Sequence, residues 1–203
     1  MKLYYAPGAC SLATHIVLEW IGRPYEIHKV DIHGTKSPEL LERNPEGAVP
    51  VIEEDGWVLT QNSAILNYLA DTNPQAQLGG DGTPKSRAEV NRWLGFVNSD
   101  VHPAYKPLFG ATAYLGDPSA IEKSKEDAKT RLRTRFEHAN GALQGRDWVA
   151  GARSVADAYL YVMLRWAKAQ KIDLSGLGNL ERFFQRMSSD PAVQKVLKEE
   201  ARG

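Results

Sequence analysis

The feature that most constrains how this chain folds is a change of hydrophobic period near residue 80. Before that point, short strand-like runs alternate with helical patterns, and beyond it every strong pattern has the spacing of a helix. The segment 78–84 (Leu-Gly-Gly-Asp-Gly-Thr-Pro) concentrates residues that favour loops. A chain of 203 residues is long enough for two small domains that each bury a core. The sequence therefore predicts an α/β domain over residues 1–79, a linker over 80–84 and an all-helical domain over 85–203.

The predicted order of elements in the first domain is β-α-β-α-β-β-α. Apolar residues at helical spacing follow Cys10, and a strand-like run at 25–30 comes next. Ser37-Pro38 is typical of a helix start, and Asp55-Gly56 between two apolar runs is typical of a tight hairpin turn. This order is too compact for a full doubly wound domain.

The second domain is predicted to be a bundle around one buried helix. Helical patterns cover residues 90–101, 121–143, 180–187 and a last segment from 191, with a break expected near Pro103. The run 155–167 is apolar almost all round and too short to span a bilayer, so we place it at the bundle centre. Ser154 and Asp157 have the spacing of a capping box, which favours a structural role for Asp157 over that of a catalytic acid.

Composition and charge exclude several classes of protein. The 25 basic and 25 acidic residues disfavour a nucleic-acid binder and a polybasic membrane-surface protein. One cysteine excludes an internal disulfide and a cysteine-based zinc site, and the five histidines show no metal-ligand spacing. The first residues lack the apolar run of a signal peptide, so we expect a cytoplasmic protein. The charges are unevenly divided, because the first 80 residues hold five basic and ten acidic residues.

Cys10 is the first candidate for chemistry. It lies at a predicted helix start, where unpaired amides and the helix dipole favour a thiolate, although many lone cysteines are simply buried small side chains. Pro7 occupies the position of the partner thiol in a Cys-x-x-Cys motif. Any redox cycle at Cys10 therefore needs a second thiol from another molecule.

Three other motifs are candidates for binding or catalysis. Val49-Pro50 opens a strand, and a cis proline there leaves the Val49 backbone free to pair with an extended ligand, whereas a trans edge proline has no such role. The segment 60–63 (Thr-Gln-Asn-Ser) precedes a helix and suits either a carboxylate ligand or ordinary capping. His102 ends an amphipathic pattern, where a helix C-terminus favours the imidazolium. A Cys–His hydrolase is conceivable, but neither Cys10 nor His102 has a protease-like local signature.

Together these motifs resemble the cytosolic glutathione transferases of the bacterial beta class, over essentially the whole chain. The resemblance implies a thioredoxin-like domain followed by an all-helical domain. It is carried by residues 1–12 (MKLYYAPGACSL), 44–50 (NPEGAVP), 59–65 (LTQNSAI), 154–159 (SVADAY) and His102 followed by Pro107-Leu108-Phe109.

The resemblance also implies a role for each site residue. Cys10 faces the glutathione sulfur and His102 approaches it, while Trp166 lines the electrophile pocket. The glutathione contacts that it implies are Lys36 with the glycine carboxylate, Val49 with Pro50 for the cysteinyl backbone, Gln61 with Asn62 for the γ-glutamyl end, and Ser99 with Asp100 across a dimer interface. Gln61 stands where many members have glutamate, so the contact with the ligand ammonium is expected to be weaker.

The implied function is conjugation of reduced glutathione to small hydrophobic electrophiles in detoxification, by a homodimer. Glutathione serves as a co-substrate, with no separate cofactor and no metal. Cys10 adds an expected side activity in thiol–disulfide exchange or peroxide reduction. The alternative is a non-catalytic ligand-binding or interaction protein that retains the fold. In the dimer, we expect the acidic domain of one subunit to attract the basic domain of the other.

Overall fold

The computed structural model describes residues 1–202 and changes from mixed to purely helical structure where the hydrophobic period changes. In chain order, the elements are β1 (Lys2–Tyr5), α1 (Ser11–Ile21), β2 (Glu26–Lys29), α2 (Pro38–Arg43), β3 (Val51–Glu54), β4 (Trp57–Thr60), α3 (Asn62–Thr72), α4 (Pro84–Gly95), α5 (Pro118–Ala142), α6 (Val155–Ala169), α7 (Gly178–Ser189) and α8 (Pro191–Arg202). A π-helical turn (Phe96–Val101) and 3₁₀ turns (His102–Phe109) prolong α4, and shorter 3₁₀ turns lie at Pro74–Ala76 and Ala113–Leu115.

The four strands form one mixed sheet in the order β2-β1-β3-β4. Strands β1 and β2 are parallel, and β3 is antiparallel to both β1 and β4. Because side chains alternate across a strand, Leu3 and Ile52 face the core shared with α1 and α3, while Tyr4 and Val51 face Leu40 of α2. This is the predicted thioredoxin-like arrangement.

The second part of the chain is the predicted helical bundle, with α6 at its centre. Every residue from Val155 to Leu164 is buried, and α6 packs against α1, α3, α4 and α7. Its first turn is closed by the predicted capping box: the Asp157 carboxylate accepts hydrogen bonds from the Ser154 amide (2.8 Å), the Ser154 hydroxyl (2.8 Å) and the Val149 amide (3.0 Å). The structural interpretation of Asp157 accounts for each of these contacts.

The predicted break near Pro103 is a change of helix type at residues 101–102 and not an end of the helical path. The chain stays helical through the π turn and the 3₁₀ turns as far as Phe109. Proline is accommodated at Pro103 because the first positions of a new helical segment need no amide hydrogen-bond donor. The π turn displaces the helix register just before the residues that reach the cleft described below.

Residues 77–83 join the two parts, and the Leu78 carbonyl accepts a hydrogen bond from the first residue of α6, Val155 (3.0 Å). This contact ties the junction to the helical bundle. The exact domain limits, 1–79 and 85–203, stay predictions. Among residues 1–202, no helix is both long enough and apolar enough to cross a membrane.

Candidate active site

A cleft of about 1090 Å³ lies between the sheet domain and the helical bundle. One wall comes from the loop after β1, the loops at 29–33 and 44–50, and the start of α3. The facing wall comes from the π and 3₁₀ turns and from α6, and its members are Asn98, His102, Pro103, Lys106, Phe109, Tyr159 and Trp166. Two basic residues, Lys29 and Lys106, and two acidic residues, Asp31 and Glu46, line the cleft, so its charge is mixed and not purely basic.

The Cys10 thiol lies in this cleft and donates a hydrogen bond to the Val49 carbonyl (3.2 Å). Burial raises its pKa to about 12, and the amides of Cys10 and Ser11 at the start of α1 lower it by less. The prediction that the helix start makes Cys10 a thiolate is therefore wrong for this arrangement, because desolvation outweighs the amides. At neutral pH, Cys10 is a protonated thiol that acts as a hydrogen-bond donor.

The Val49–Pro50 peptide bond is cis, the first of the two alternatives that the sequence left open. Asn44 shapes the loop that leads into it by donating a hydrogen bond to the Ala48 carbonyl (2.8 Å). The Val49 carbonyl accepts a hydrogen bond from the Cys10 thiol, and its second lone pair remains available to a ligand.

The start of α3 contributes Gln61 and Asn62, which differ in what they offer to a ligand. Gln61 is exposed in the cleft and has a φ of 70°, an unusual conformation for a residue with a side chain. Asn62 is buried, and its amide accepts a hydrogen bond from Thr14 (2.8 Å) and donates one to the Cys10 carbonyl (3.1 Å). The Asn62 side chain therefore holds the Cys10 loop against α1.

His102 reaches the cleft from the helical wall. Burial, followed by the charge of Lys106, lowers its pKa to about 4, so it is a neutral imidazole near pH 7. The expected imidazolium at a helix C-terminus is wrong, because burial of the ring and the neighbouring Lys106 charge both disfavour the protonated form. Its Nδ1 lies 2.5 Å from the Tyr159 hydroxyl.

Trp166 joins the two walls through the loop before Cys10. Its indole Nε1 donates a hydrogen bond to the Gly8 carbonyl (2.8 Å), and the Gly8 amide donates one to the Glu200 carboxylate of α8 (2.9 Å). Glu200 also pairs with the buried His15 of α1 (3.1 Å). Both polar groups of the Gly8 backbone are thus held by side chains of the helical part.

The structure does not bring three of the predicted residues to the cleft of this chain. The Lys36 ammonium donates a hydrogen bond to the Glu46 carbonyl (2.6 Å) and its stem passes over Gly47, where a Cβ would lie 2.1 Å from Lys36 Cδ. Ser99 and Asp100 lie exposed on the π turn, whose inner side presents Asn98 instead. The contacts of Ser99 and Asp100 across a dimer interface stay predictions.

Two family models match this chain: the glutathione S-transferase N-terminal domain over residues 1–71 and the C-terminal domain over residues 101–191. The chain belongs to the glutathione S-transferase family. Glutathione S-transferase GST-4.5 of Xanthomonas campestris pv. campestris is 57% identical over 201 residues, which cover 98% of each chain.

Two solved glutathione S-transferases show the same fold. The bacterial beta-class enzyme of Sphingomonas chungbukensis is 37% identical with a TM-score of 0.87, and 98% of each chain is covered. A sphingomonad glutathione S-transferase complexed with glutathione is 36% identical with a TM-score of 0.88, and 100% of each chain is covered. The predicted resemblance to bacterial glutathione transferases, and with it an enzyme of this type, is confirmed.

Sequence reasoning missed several residues of the glutathione transferase cleft, above all Tyr159. Tyr159 and Trp166 are seven residues apart on α6, which places them on one helix face. A tyrosine in an otherwise apolar helix is a usable signal, because its hydroxyl needs a polar partner when it is buried. Asn98 and Lys106 carried no such signal, since their direction depends on the π turn.

The low pKa of His102 predicts a specific pH dependence of stability. The unfolded chain takes up a proton near the ordinary histidine pKa of 6.5, whereas the folded protein resists it down to about 4. Stability is therefore full above pH 6.5 and falls as the pH drops through this window, by up to about 3 kcal/mol. Urea unfolding of the wild type and of His102→Gln measures this contribution as the difference between the two pH profiles. Parallel profiles would contradict it.

Proposed function

We propose that this chain transfers reduced glutathione to small hydrophobic electrophiles and, through Cys10, exchanges thiols with glutathione mixed disulfides. The observation that carries the proposal is the Cys10 thiol beside the cis-proline loop, in a cleft whose other wall is aromatic. The glutathione complex of the sphingomonad relative supports the choice of ligand. The proposal includes glutathione as the co-substrate, without a separate cofactor.

The protonated Cys10 thiol suits conjugation. A donor in the cleft can turn from the Val49 carbonyl to a bound glutathione sulfur and stabilise it as the thiolate nucleophile. On the facing wall, the Phe109 and Trp166 rings meet edge to face at 5.0 Å, and 53% of Phe109 is exposed. This surface favours apolar and aromatic electrophiles, held next to the nucleophilic sulfur.

Thiol–disulfide exchange uses the same thiol in two balanced steps. In the first, the Cys10 sulfur attacks a glutathione mixed disulfide, and the departing thiol takes the proton that Cys10 loses. In the second, a glutathione thiol attacks the Cys10–glutathione disulfide, which releases oxidised glutathione and restores the Cys10 thiol. The raised pKa of Cys10 makes the first step the slow one, since thiolate and not thiol attacks.

Intact mass spectrometry tests the proposal directly. After incubation with oxidised glutathione, we expect one reducible glutathione adduct per chain, absent from Cys10→Ala, together with turnover of an aryl halide and glutathione. The alternative of a non-catalytic binding protein is favoured if glutathione is retained without either turnover or an adduct. Absence of both binding and turnover would contradict the proposal.

We also propose that the protein is a homodimer, as the family resemblance implies. Trp57 on the edge strand β4 is 47% exposed and lies 4.9 Å from the ring of Tyr68, which leaves an aromatic surface on the sheet domain. The opposite net charges of the two halves of the chain support pairing of unlike domains. Sedimentation equilibrium should therefore show a dimer that dissociates more readily as salt is raised.

The contact between Trp166 and Gly8 predicts a selective effect on glutathione affinity. Trp166→Phe keeps an aromatic ring against Phe109 but removes the hydrogen bond to the Gly8 carbonyl. One such bond contributes about 1 kcal/mol, so we expect the KM for glutathione to rise about fivefold. Trp148→Phe is the matched control, because Trp148 packs on Phe183 away from the cleft. Equal KM values for the two variants would contradict the role of this contact.

A further inference from the structure

Tyr159 is a buried tyrosine whose hydroxyl opens into the cleft. It lies on α6, only 1% of it is exposed, and it lines the same cleft as Cys10 and His102. Its hydroxyl is 2.5 Å from His102 Nδ1 and 3.5 Å from the Asn98 side-chain oxygen. A hydroxyl in this position has one proton to donate and two acceptors to choose between.

The distances decide where that proton goes. The hydroxyl has a single proton, and a hydrogen bond is strongest to the acceptor within normal donor–acceptor distance, which His102 Nδ1 satisfies and the more distant Asn98 oxygen barely reaches. The contact with His102 therefore has the polarity of a tyrosine hydroxyl donating to an imidazole nitrogen, and Asn98 at 3.5 Å is a marginal alternative. If Nδ1 of a neutral imidazole accepts, its proton lies on Nε2.

The ring of His102 is also held in place. It meets the Trp166 ring edge to face at 5.0 Å and the Tyr159 ring edge to face at 5.8 Å. With the ring plane constrained by packing, the tautomer is what decides whether His102 presents a donor or an acceptor to the cleft.

We propose that Tyr159 is a positioning residue that fixes His102 as the Nε2–H tautomer, so that the cleft receives a neutral N–H donor. The use of this donor rests on the proposed function: it can hydrogen-bond a glutathione sulfur, or the sulfur that departs in exchange, as negative charge develops there. The tautomer itself does not depend on that function.

Long-range ¹H–¹⁵N correlation spectra of the imidazole side chains test the assignment, since the two neutral tautomers give distinct patterns. Spectra of the ¹⁵N-labelled full chain are recorded near pH 7.5, and His102→Gln identifies the His102 signals. We expect the Nε2–H pattern in the wild type and a shift toward a mixture of tautomers in Tyr159→Phe. A wild-type Nδ1–H pattern, or a pattern unchanged in Tyr159→Phe, would overturn the proposal.

Tyr161→Phe is the matched control. Tyr161 is equally buried on α6, but its hydroxyl contacts Ser188 (3.1 Å) and not the cleft. We expect Tyr159→Phe to lower kcat for glutathione-dependent disulfide reduction about tenfold while the KM for glutathione changes less than about twofold. Tyr161→Phe should change neither kcat nor the His102 tautomer.

The spectra and the kinetics separate this inference from the proposed function. A tautomer shift in Tyr159→Phe with no turnover by the wild type would leave the positioning role supported and overturn the glutathione transferase activity. A tautomer shift with kcat unchanged would overturn the role of Tyr159 in turnover. A similar loss of kcat in Tyr159→Phe and Tyr161→Phe would also overturn the role of Tyr159 in turnover. Removal of any buried hydroxyl from α6 would then explain the loss.

Discussion

Replacing Cys10 by alanine should reduce glutathione-dependent disulfide reduction at least about 100-fold, because the sulfur that forms the mixed disulfide is removed. Aryl-halide conjugation should fall by no more than about tenfold, since Cys10 serves there only as one donor to the glutathione sulfur. Both rates are measured on the same preparation with glutathione in excess. The ratio of the two rates is the informative quantity, because a general loss of folded protein lowers both equally.

Cys10→Ser is the control for this experiment. A serine hydroxyl can donate to the Val49 carbonyl and to a sulfur as the thiol does, but it cannot form a disulfide. We therefore expect it to conjugate better than Cys10→Ala and to reduce disulfides no better. Neither change should disturb α1, because the Cys10 side chain makes no capping hydrogen bond to that helix. Disulfide reduction that survives in Cys10→Ala would show that Cys10 is not the exchanging thiol.

Replacing Asp157 by alanine should lower the free energy of unfolding by about 3–5 kcal/mol. The carboxylate is fully buried and satisfies the amides of Val149 and Ser154, and each buried amide left without a partner costs about 1–3 kcal/mol. For a chain of this length, the corresponding fall in Tm is roughly 10 °C. Urea and thermal unfolding measure both quantities.

Ser154→Ala is the matched control for Asp157→Ala. It removes the hydroxyl that donates to the Asp157 carboxylate and accepts from the Asp157 amide in the capping box, but leaves both amide contacts of the carboxylate, so it should cost about 1 kcal/mol. If Asp157→Ala were no more destabilising than Ser154→Ala, the hydrogen bonds from the Val149 and Ser154 amides to the carboxylate would not contribute to stability. Glutathione binding at the remaining folded fraction should persist in both, since neither residue lines the cleft.

Much of the fold follows from local signals. The hairpin around Asp55-Gly56 and the capping box at Ser154 depend on residues close in sequence, and both lie where they were predicted. The run 155–167 was recognisable as the central helix because it has no polar face. The break predicted near Pro103 is a change from π to 3₁₀ turns, because proline is tolerated in the first turn of a new helical segment, and the chain continues in helical turns to Phe109.

The candidate site was predictable as a set of residues but not in its electrostatics. Cys10 and His102 both line the cleft, yet the ionisation expected for each was opposite to what burial produces. A helix end is visible in the sequence, whereas the depth of a side chain beneath a second domain is not. Lys36 illustrates the same limit, since its ammonium donates a hydrogen bond to the Glu46 carbonyl, ten residues further along the chain.

The sequence alone determined the change from a mixed sheet domain to a helical bundle and the family, because these are set by period and by motifs within short stretches, whereas it left open whether the Val49–Pro50 bond is cis or trans. Only the tertiary structure decided that Cys10 is a protonated donor, that Asn62 braces the Cys10 loop and that Tyr159 meets His102. These outcomes depend on desolvation and on contacts between residues far apart in the chain, and no local pattern encodes either.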